Sequence, residues 1–453
     1  MRPTIHIAGG GLAGSEAAWQ LAQAGLQVIL WEMRPVRTTP AHQTDRFAEL
    51  VCSNSLKSDS HPSASWLLKE ELRRLESLLI ATADDTRVPG GQALTVDRET
   101  FSEQVTRRIE AHPLIEVRRE EFSEFHAGAI TIIATGPLTS DTLAAGIARM
   151  TGSDRLYFYD SISPIVDAHT VDESIAFRAS RYDKSLDGTG DYLNCPFDKE
   201  QYDRFVDALL SAHTAEAHIP QDAHLSDNVP YFESCLPIEE IARRGKDTLR
   251  FGPMKPMGLI DPRTGRRPYA AVQLRLENLR ADSYNLVGFQ NHLKFGEQKR
   301  ILRMIPGLQN AEFFRYGQIH RNTYINAPAL LNATLQLRAN PNIFFAGQIS
   351  GVEGYVESIA TGLLAGRFAL TLATAQPVVP LPRETALGSL CHYISAADPK
   401  HYQPANIAMD LFPPVMDAGD SMSNRLRHDK PARHAEICRR ALAALDSYLS
   451  VHV

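Results

Sequence analysis

A chain of 453 residues is longer than one hydrophobic core usually serves, so two domains are expected. Its 43% apolar and 22% charged content is globular, no apolar run is long enough to span a bilayer, and no signal-peptide pattern follows Met1, which predicts a cytoplasmic protein. Five scattered cysteines without a CxxC pair indicate neither a disulfide framework nor a zinc site, and a net charge of −6 speaks against nucleic acid unless a basic patch lies inside the acidic total.

In chain order, Ile5 to Ala8 reads as a short buried strand. Residues 12–24 have helical periodicity, with Leu12, Ala17, Ala18 and Leu21 on one face, and Gly25 closes that helix. Val28 to Trp31 is the next strand, which completes a parallel βαβ unit. Between its first two elements, Gly9-Gly10-Gly11-Leu12-Ala13-Gly14 fits G-x-G-x-x-G. Gly9 permits the tight turn, Gly11 lets a pyrophosphate approach the backbone, and Gly14 lets helix and strand pack closely. The phosphate then meets free N–H groups and the positive end of the helix dipole. Glu32 ends the second strand, where a carboxylate accepts hydrogen bonds from ribose hydroxyls.

Further on, residues 64–80 read as one amphipathic helix, and Asp97 as the cap of another starting near Glu99. Residues 130–133 and 343–345 are short apolar strands that run into Ala134-Thr135-Gly136-Pro137 and Ala346-Gly347-Gln348. Each resembles a secondary motif of the glutathione-reductase-like flavoproteins, with Gln348 standing where that motif carries Asp. Gly347, Gly351 and Gly354 are spaced to let backbone approach a flavin, so FAD is preferred over NAD. Residues 160–330 are a Pro-rich mixture of strand and loop, 352–374 return to helix, and the last sixty residues read as helical and peripheral. The expectation is an α/β protein: a glutathione-reductase-like Rossmann FAD-binding domain from residues 1–150 plus 331–453, with an inserted α+β domain at 151–330 for RNA or substrate.

The local charge count supports that use. Between Arg243 and Arg303 there are fourteen Lys or Arg against five Asp or Glu. Phosphate contact is the expected use of such a stripe, with Arg250, Lys255, Arg263, Arg266, Arg267, Lys299 and Arg300 as candidates. Phe251, Tyr269 and Phe295 are interleaved for stacking on bases. For most of these residues taken singly, a solvated, salt-bridged face is the better reading.

Several blocks are far more specific. They are the run 41–56 with Cys52-Ser53-Asn54-Ser55 near its end, Val96-Asp97-Arg98-Glu99, Tyr157-Phe158-Tyr159-Asp160, Cys235-Leu236-Pro237-Ile238-Glu239, and residues 248–256, 261–269, 296–300 and 347–358. Together they resemble the folate- and FAD-dependent tRNA (uracil-5-)-methyltransferases, the TrmFO family, from the first strand to about residue 405. Ser234 departs from that pattern, as does Asn291-His292, which makes His292 a poor candidate for an inherited role. The resemblance implies methylation of C5 of the T-loop uridine (position 54) of tRNA. The carbon comes from methylenetetrahydrofolate, FADH2 reduces it after transfer, and NAD(P)H reloads the flavin. Neither a membrane nor a protein partner is implied.

Uracil C5 is a weak nucleophile, and a thiolate added at C6 turns the ring into an enolate able to attack an electrophilic methylene. A second group must then take the C5 proton. Cys235, with Arg243, Arg244 and Lys246 nearby, is read as the nucleophile and Cys52 as the group assisting proton removal, with the reverse assignment open. Cys195, Cys391 and Cys438 are read as packing residues, and His42 and His320 as lone histidines. Rival readings are a related GidA-type wobble-uridine modifier, a ribosomal RNA uridine-5 methyltransferase, a non-catalytic RNA-binding flavoprotein, and a generic FAD oxidoreductase on a small molecule. The last predicts a CxxC pair or a second full G-x-G-x-x-G, and the chain has neither.

Overall fold

The computed structural model describes residues 3–152, 156–185, 190–215, 236–415 and 429–452, with 156–161 and 319–321 described by backbone alone. The chain starts with β1 (Ile5–Ala8), α1 (Leu12–Gln23) and β2 (Val28–Trp31), the predicted βαβ unit. Ile5 and Ile7 are fully buried because β1 lies inside a sheet, pairing in parallel with β2 through Ile5↔Val28. Next come β3 (Ser55–Ser58), α2 (Ala64–Arg74), α3 (Leu78–Asp85), β4 (Arg87–Val88), β5 (Ala93–Val96), α4 (Arg98–Glu110), β6 (Ile115–Arg118), β7 (Thr131–Ile133) and α5 (Asp141–Thr151). As expected, Asp97 caps α4 by accepting from Thr100 N–H at 2.9 Å.

The single helix expected over 64–80 is two helices. Glu76 takes φ 58° between them, and Ser77 caps α3 by accepting from Ile80 N–H. The cause lies on α1. Buried Glu16 accepts from Ser77 Oγ at 2.8 Å and from the Leu78 and Leu79 N–H groups at 3.2 and 3.0 Å, which turns the start of α3 toward it.

After β8 (Leu156–Ser161) the chain builds a second, antiparallel sheet from β9 (Ile165–Asp167), β10 (Phe177–Arg178), β11 (Tyr192–Phe197), β12 (Ala270–Leu276), β13 (Ser283–Leu286) and β14 (Phe313–Arg315), in the order β10-β11-β12-β13-β9-β14. With α6 (Lys199–Leu210), α7 (Ile238–Arg243), α8 (Thr248–Phe251) and α9 (Phe295–Leu302), it closes over a core of its own around Phe197, Phe205, Val272 and Phe289. Strand β15 (Ile319–Tyr324) pairs antiparallel with β8, so the chain leaves this unit beside the point of entry.

The first sheet is then completed by β16 (Gln336–Leu337) and β17 (Asn340–Phe345), which follow the short α10 (Ala327–Leu330). Its order is β16-β17-β7-β1-β2-β6, parallel from β17 to β6. Helix α11 (Tyr355–Ala373) crosses α1 at very short range, with Gly362 and Gly366 set against the backbone of Ala13 and Ala17. Contrary to the sequence expectation, α11 is long and apolar enough by length and composition to cross a bilayer, yet Ile359, Leu363, Leu364 and Phe368 are buried in the first core.

The C-terminal helices α12 (Ala386–Ala396) and α13 (Lys430–His452) are less peripheral than their composition suggests. Leu387, Leu390, Ile394, Ile437 and Ala441 join the first core. The start of α12 is held by Glu71 of α2, which accepts from Ala386 and Leu387 N–H at 2.7 and 2.9 Å. Burial pushes the Glu71 carboxyl up to about 8 against those two bonds. Two residues earlier, burial lowers the Lys69 ammonium to about 8, although Asp59 and Glu357 favour its charge. Folded Glu71 therefore holds its proton to higher pH than the ordinary value of 4.5, so its contribution to stability is lost as pH rises toward 8. Lys69 acts in the opposite sense: between about 8 and 10.5 the unfolded chain binds more protons, and stability rises with pH. The expected result is a melting temperature that dips near pH 8, measured by calorimetry from pH 5 to 10. Glu71→Gln flattens the acid limb and Lys69→Met the alkaline limb.

Candidate cofactor and thiol site

At the carboxyl ends of β1, β2, β7 and β17 the first sheet opens into a cleft with about 1020 Å³ of empty space, its open mouth included. Helix α1 begins there without a side-chain cap, so its first N–H groups face the cleft as an anion site. The turn before it depends on Gly9, whose φ is 103° and whose Cβ would lie 2.6 Å from Ala134 O. A Cβ on Gly11 would meet no protein atom, which leaves room for a phosphate against the backbone. A Cβ on Gly14 would overlap Gly9 O, so this glycine sets the helix against the turn.

Nine of the predicted cofactor residues line the cleft: Gly9, Gly11, Leu12, Ala13, Glu32, Thr135, Gly136, Gly347 and Gln348. Gly10 and Gly14 lie behind it as backbone supports. Gly351 is elsewhere, packed under the Tyr402 hydroxyl, because a side chain there would displace that tyrosine. Gly354 is likewise covered, by Lys57 and Glu357. Glu32 is nearly buried and accepts from Gly10 N–H at 3.0 Å and from Arg34 Nε and Nη2 at 2.9 and 3.0 Å. Burial alone would raise its pKa, but Arg34 and the Gly10 N–H outweigh it and hold the carboxylate below the usual glutamate range. Gln348 donates to Glu353 Oε2 at 2.5 Å. His42 also lines the cleft, its Nδ1 2.6 Å from Thr39 Oγ1. This floor, with an uncapped helix end, an ionised acid at the second strand and glycine-backed walls, fits a dinucleotide such as FAD.

Cys52 is half-buried in the loop that meets the cleft wall. The N–H groups of Cys52 and Ser53 donate to the Tyr355 hydroxyl at 2.9 and 3.0 Å, and Tyr355 and Val51 line the cleft. Burial, then Cys52, pushes the Tyr355 phenol up, which keeps it neutral. Arg98 donates to Leu50 O, while Arg315 donates to Val51 O and Ala41 O at 3.0 and 3.1 Å. From β12, Arg275 reaches Asn54 Oδ1 at 2.9 Å and Ser53 Oγ at 2.7 Å. The two cores therefore meet at the loop that carries Cys52.

Cys235 lies outside the described residues. Just after it, Glu239 is fully buried and accepts from His292 N–H at 2.8 Å, with His292 Nδ1 at 2.7 Å from the same oxygen. The His320 side chain also lies outside the description. Burial raises the Cys195 and Cys391 thiols to about 12 and Cys438 to about 11, the behaviour of packing residues. The candidate cations divide. Arg250 stacks on Tyr269 at 3.6 Å and bonds Asp247, Arg263 grips Asp261 with two bonds, and Arg300 pairs with Glu297. Lys255, Arg266, Arg267 and Lys299 are exposed and form no ion pair among the described residues. Phe251 and Phe295 are exposed at 80% and 59%, whereas Tyr269 is covered by Arg250 and Tyr202.

The family model "Glucose inhibited division protein A" matches residues 4–377. A curated relative from Solibacter usitatus, the methylenetetrahydrofolate--tRNA-(uracil-5-)-methyltransferase TrmFO, is 70% identical over 448 residues, 99% of each chain. The chain belongs to the TrmFO family. A second TrmFO relative, from Koribacter versatilis, is 60% identical over 451 residues, again 99% of each chain. Among solved structures, Aquifex aeolicus GidA matches with a TM-score of 0.66 at 16% identity, over 99% of this chain and 75% of its own, and so shares the fold. Within a TrmFO frame, sequence reasoning passed over Arg98, Arg315 and Tyr355. Arg98 and Tyr355 stand inside blocks that carried the resemblance, which was the available signal. Arg315 had none, since only folding brings it to Val51.

Proposed function

We propose that this chain methylates C5 of the T-loop uridine (position 54) of tRNA with methylenetetrahydrofolate, as a cytoplasmic FAD enzyme. The observation that carries the reading is Cys52 beside a dinucleotide cleft, joined to its wall through Tyr355, in a chain of the TrmFO family. Gly11 and Glu32 would hold FAD, which, reduced by NAD(P)H, would supply the hydride that turns a transferred methylene into methyl. The protein's own residues do the rest. Cys235 adds to C6 as the nucleophile, C5 attacks the folate methylene, and Cys52 takes the C5 proton as tetrahydrofolate leaves. Hydride addition to the exocyclic methylene then releases Cys235 from C6, with the reverse assignment of the two cysteines as the alternative. Residues 1–150 and 331–453 carry the flavin, and 151–330 grip the RNA. The test is an unmodified tRNA transcript incubated with enzyme, methylenetetrahydrofolate and NADPH, then nucleoside mass spectrometry. 5-Methyluridine at the T-loop position supports the reading, and its absence there, or its appearance in the wobble position or in ribosomal RNA instead, overturns it.

The exposed turn at Arg266 and Arg267 is a phosphate contact in this scheme. A double Arg266→Ala, Arg267→Ala variant is expected to weaken tRNA binding and to reduce the slope of log affinity against log salt by about 0.7–0.9 per lost contact. Arg263→Ala should instead lower stability, since that side chain is bound to Asp261 and Ser174 O.

A further inference from the structure

We propose that Arg98 and Arg315 are positioning residues that hold Cys52 as a thiolate, with Arg275 and Glu277 of the inserted unit fixing the loop they act on. This rests on the reading of Cys52 as a reacting thiol. The observation is a charge imbalance around one short loop. Arg98 bonds Leu50 O, Arg315 bonds Val51 O, and Arg275 bonds Ser53 and Asn54, so three guanidinium groups converge on residues 50–54. One carboxylate answers them directly: Glu277, which binds Arg98 Nε at 2.7 Å. Glu49 is within electrostatic reach of Arg315, but it is spent on Arg34, Gln43 and Thr44. Tyr355, on the fourth side, is neutral.

Two further facts tie the surplus charge to Cys52. Arg98 Nη2 and Arg315 Nε are both buried and find no acceptor among the described residues. The two cations also work against each other: burial and then Arg98 lower the Arg315 pKa, while Cys52 opposes that loss. Burial likewise weighs against the charge of Arg98, which Glu277 chiefly restores and Cys52 supports. Like charges in a buried site call for an anion between them; Cys52 and Tyr355 are both in electrostatic reach of the two arginines, and with the Tyr355 phenol held neutral the anion falls to Cys52. Its proton goes to solvent through its half-exposed side. The arrangement has a structural consequence as well, because Arg98 N–H donates to Glu277 O at 3.3 Å and Asn54 Nδ2 to Leu276 O at 2.8 Å. Strand β12 of the inserted unit thus ends in bonds to the very loop whose thiol it helps to place.

The experiment uses flavin-loaded enzyme in a Cys235→Ser background, with iodoacetamide labelling of Cys52 followed by peptide mass spectrometry across pH 5–10. The parent should label with a midpoint below the ordinary thiol value of about 8.5. Arg98→Gln and Arg315→Gln should each raise the midpoint by about one unit, cutting the rate about tenfold at pH values well below the parent midpoint. Arg98→Lys, which keeps the charge, should recover most of the shift. Circular dichroism and flavin content identify any variant that has not folded, and Arg315→Gln then stands in for it. Unchanged midpoints in folded variants overturn the proposal. Methyl transfer is measured in parallel with Cys235 intact: a shifted midpoint with full methyl transfer supports the electrostatic assignment while removing Cys52 from the reaction.

Discussion

Gly14→Ala is expected to yield a colourless, destabilised protein. The added methyl would overlap Gly9 O, and nothing at that spot can yield, because the obstacle is backbone in the turn that forms the floor of the cleft. Helix α1 cannot retreat either: α11 lies against its other side, with Gly362 set on Ala13 and Gly366 on Ala17. A helix wedged from both sides must move as a unit or distort the turn, and overpacking of this kind costs about 1–3 kcal/mol or more. The uncapped helix end moves with it, so FAD affinity falls together with stability. Gly11→Ala makes the useful contrast. Its Cβ meets no protein atom, so the melting temperature of the apoprotein should hold while flavin is lost to a methyl in the phosphate's place. Flavin absorbance after purification and the melting temperatures decide both, and a yellow, fully stable Gly14→Ala protein would refute the packing account.

The contrast also shows how much could be read without coordinates. The βαβ unit, its glycines and Glu32 were legible because they encode a local rule, that of a strand, a turn and a helix within a few residues. The Asp97 cap was legible for the same reason. The helix break at Glu76 was not, since its cause is Glu16, sixty residues earlier in the chain. Gly351 misled in the opposite direction: its glycine neighbours suggested flavin contact, but the constraint comes from Tyr402, which no local pattern announces. Among the cations, the count of fourteen was right as chemistry yet blind to pairing. Arg250, Arg263 and Arg300 each found an acid within three residues, a hint the sequence did contain. Arg98 and Arg315 needed the fold, because one comes from the start of α4 in the first unit and the other from β14 of the inserted unit, far apart in sequence.

Cys52→Ala and Cys235→Ala should each keep FAD and a near-parental melting temperature while losing methyl transfer by more than about a thousandfold. For Cys52 the structural side is direct: the loop is held by backbone N–H groups on Tyr355 and by Arg98, Arg275 and Arg315, none of which needs the sulfur. Its half-exposed thiol also fills little of either core. Activity alone leaves the two roles unassigned, since both variants are silent. The distinction lies in what accumulates. Without the proton acceptor, the nucleophile still adds to C6 and the enolate still captures the methylene, but elimination stalls and an RNA–protein adduct survives denaturation. Without the nucleophile no such adduct forms. An adduct with Cys52→Ala and none with Cys235→Ala makes Cys235 the nucleophile; the opposite pattern reverses the pair and places the catalytic thiolate beside Arg98 and Arg315. Full activity in either variant removes that cysteine from the reaction.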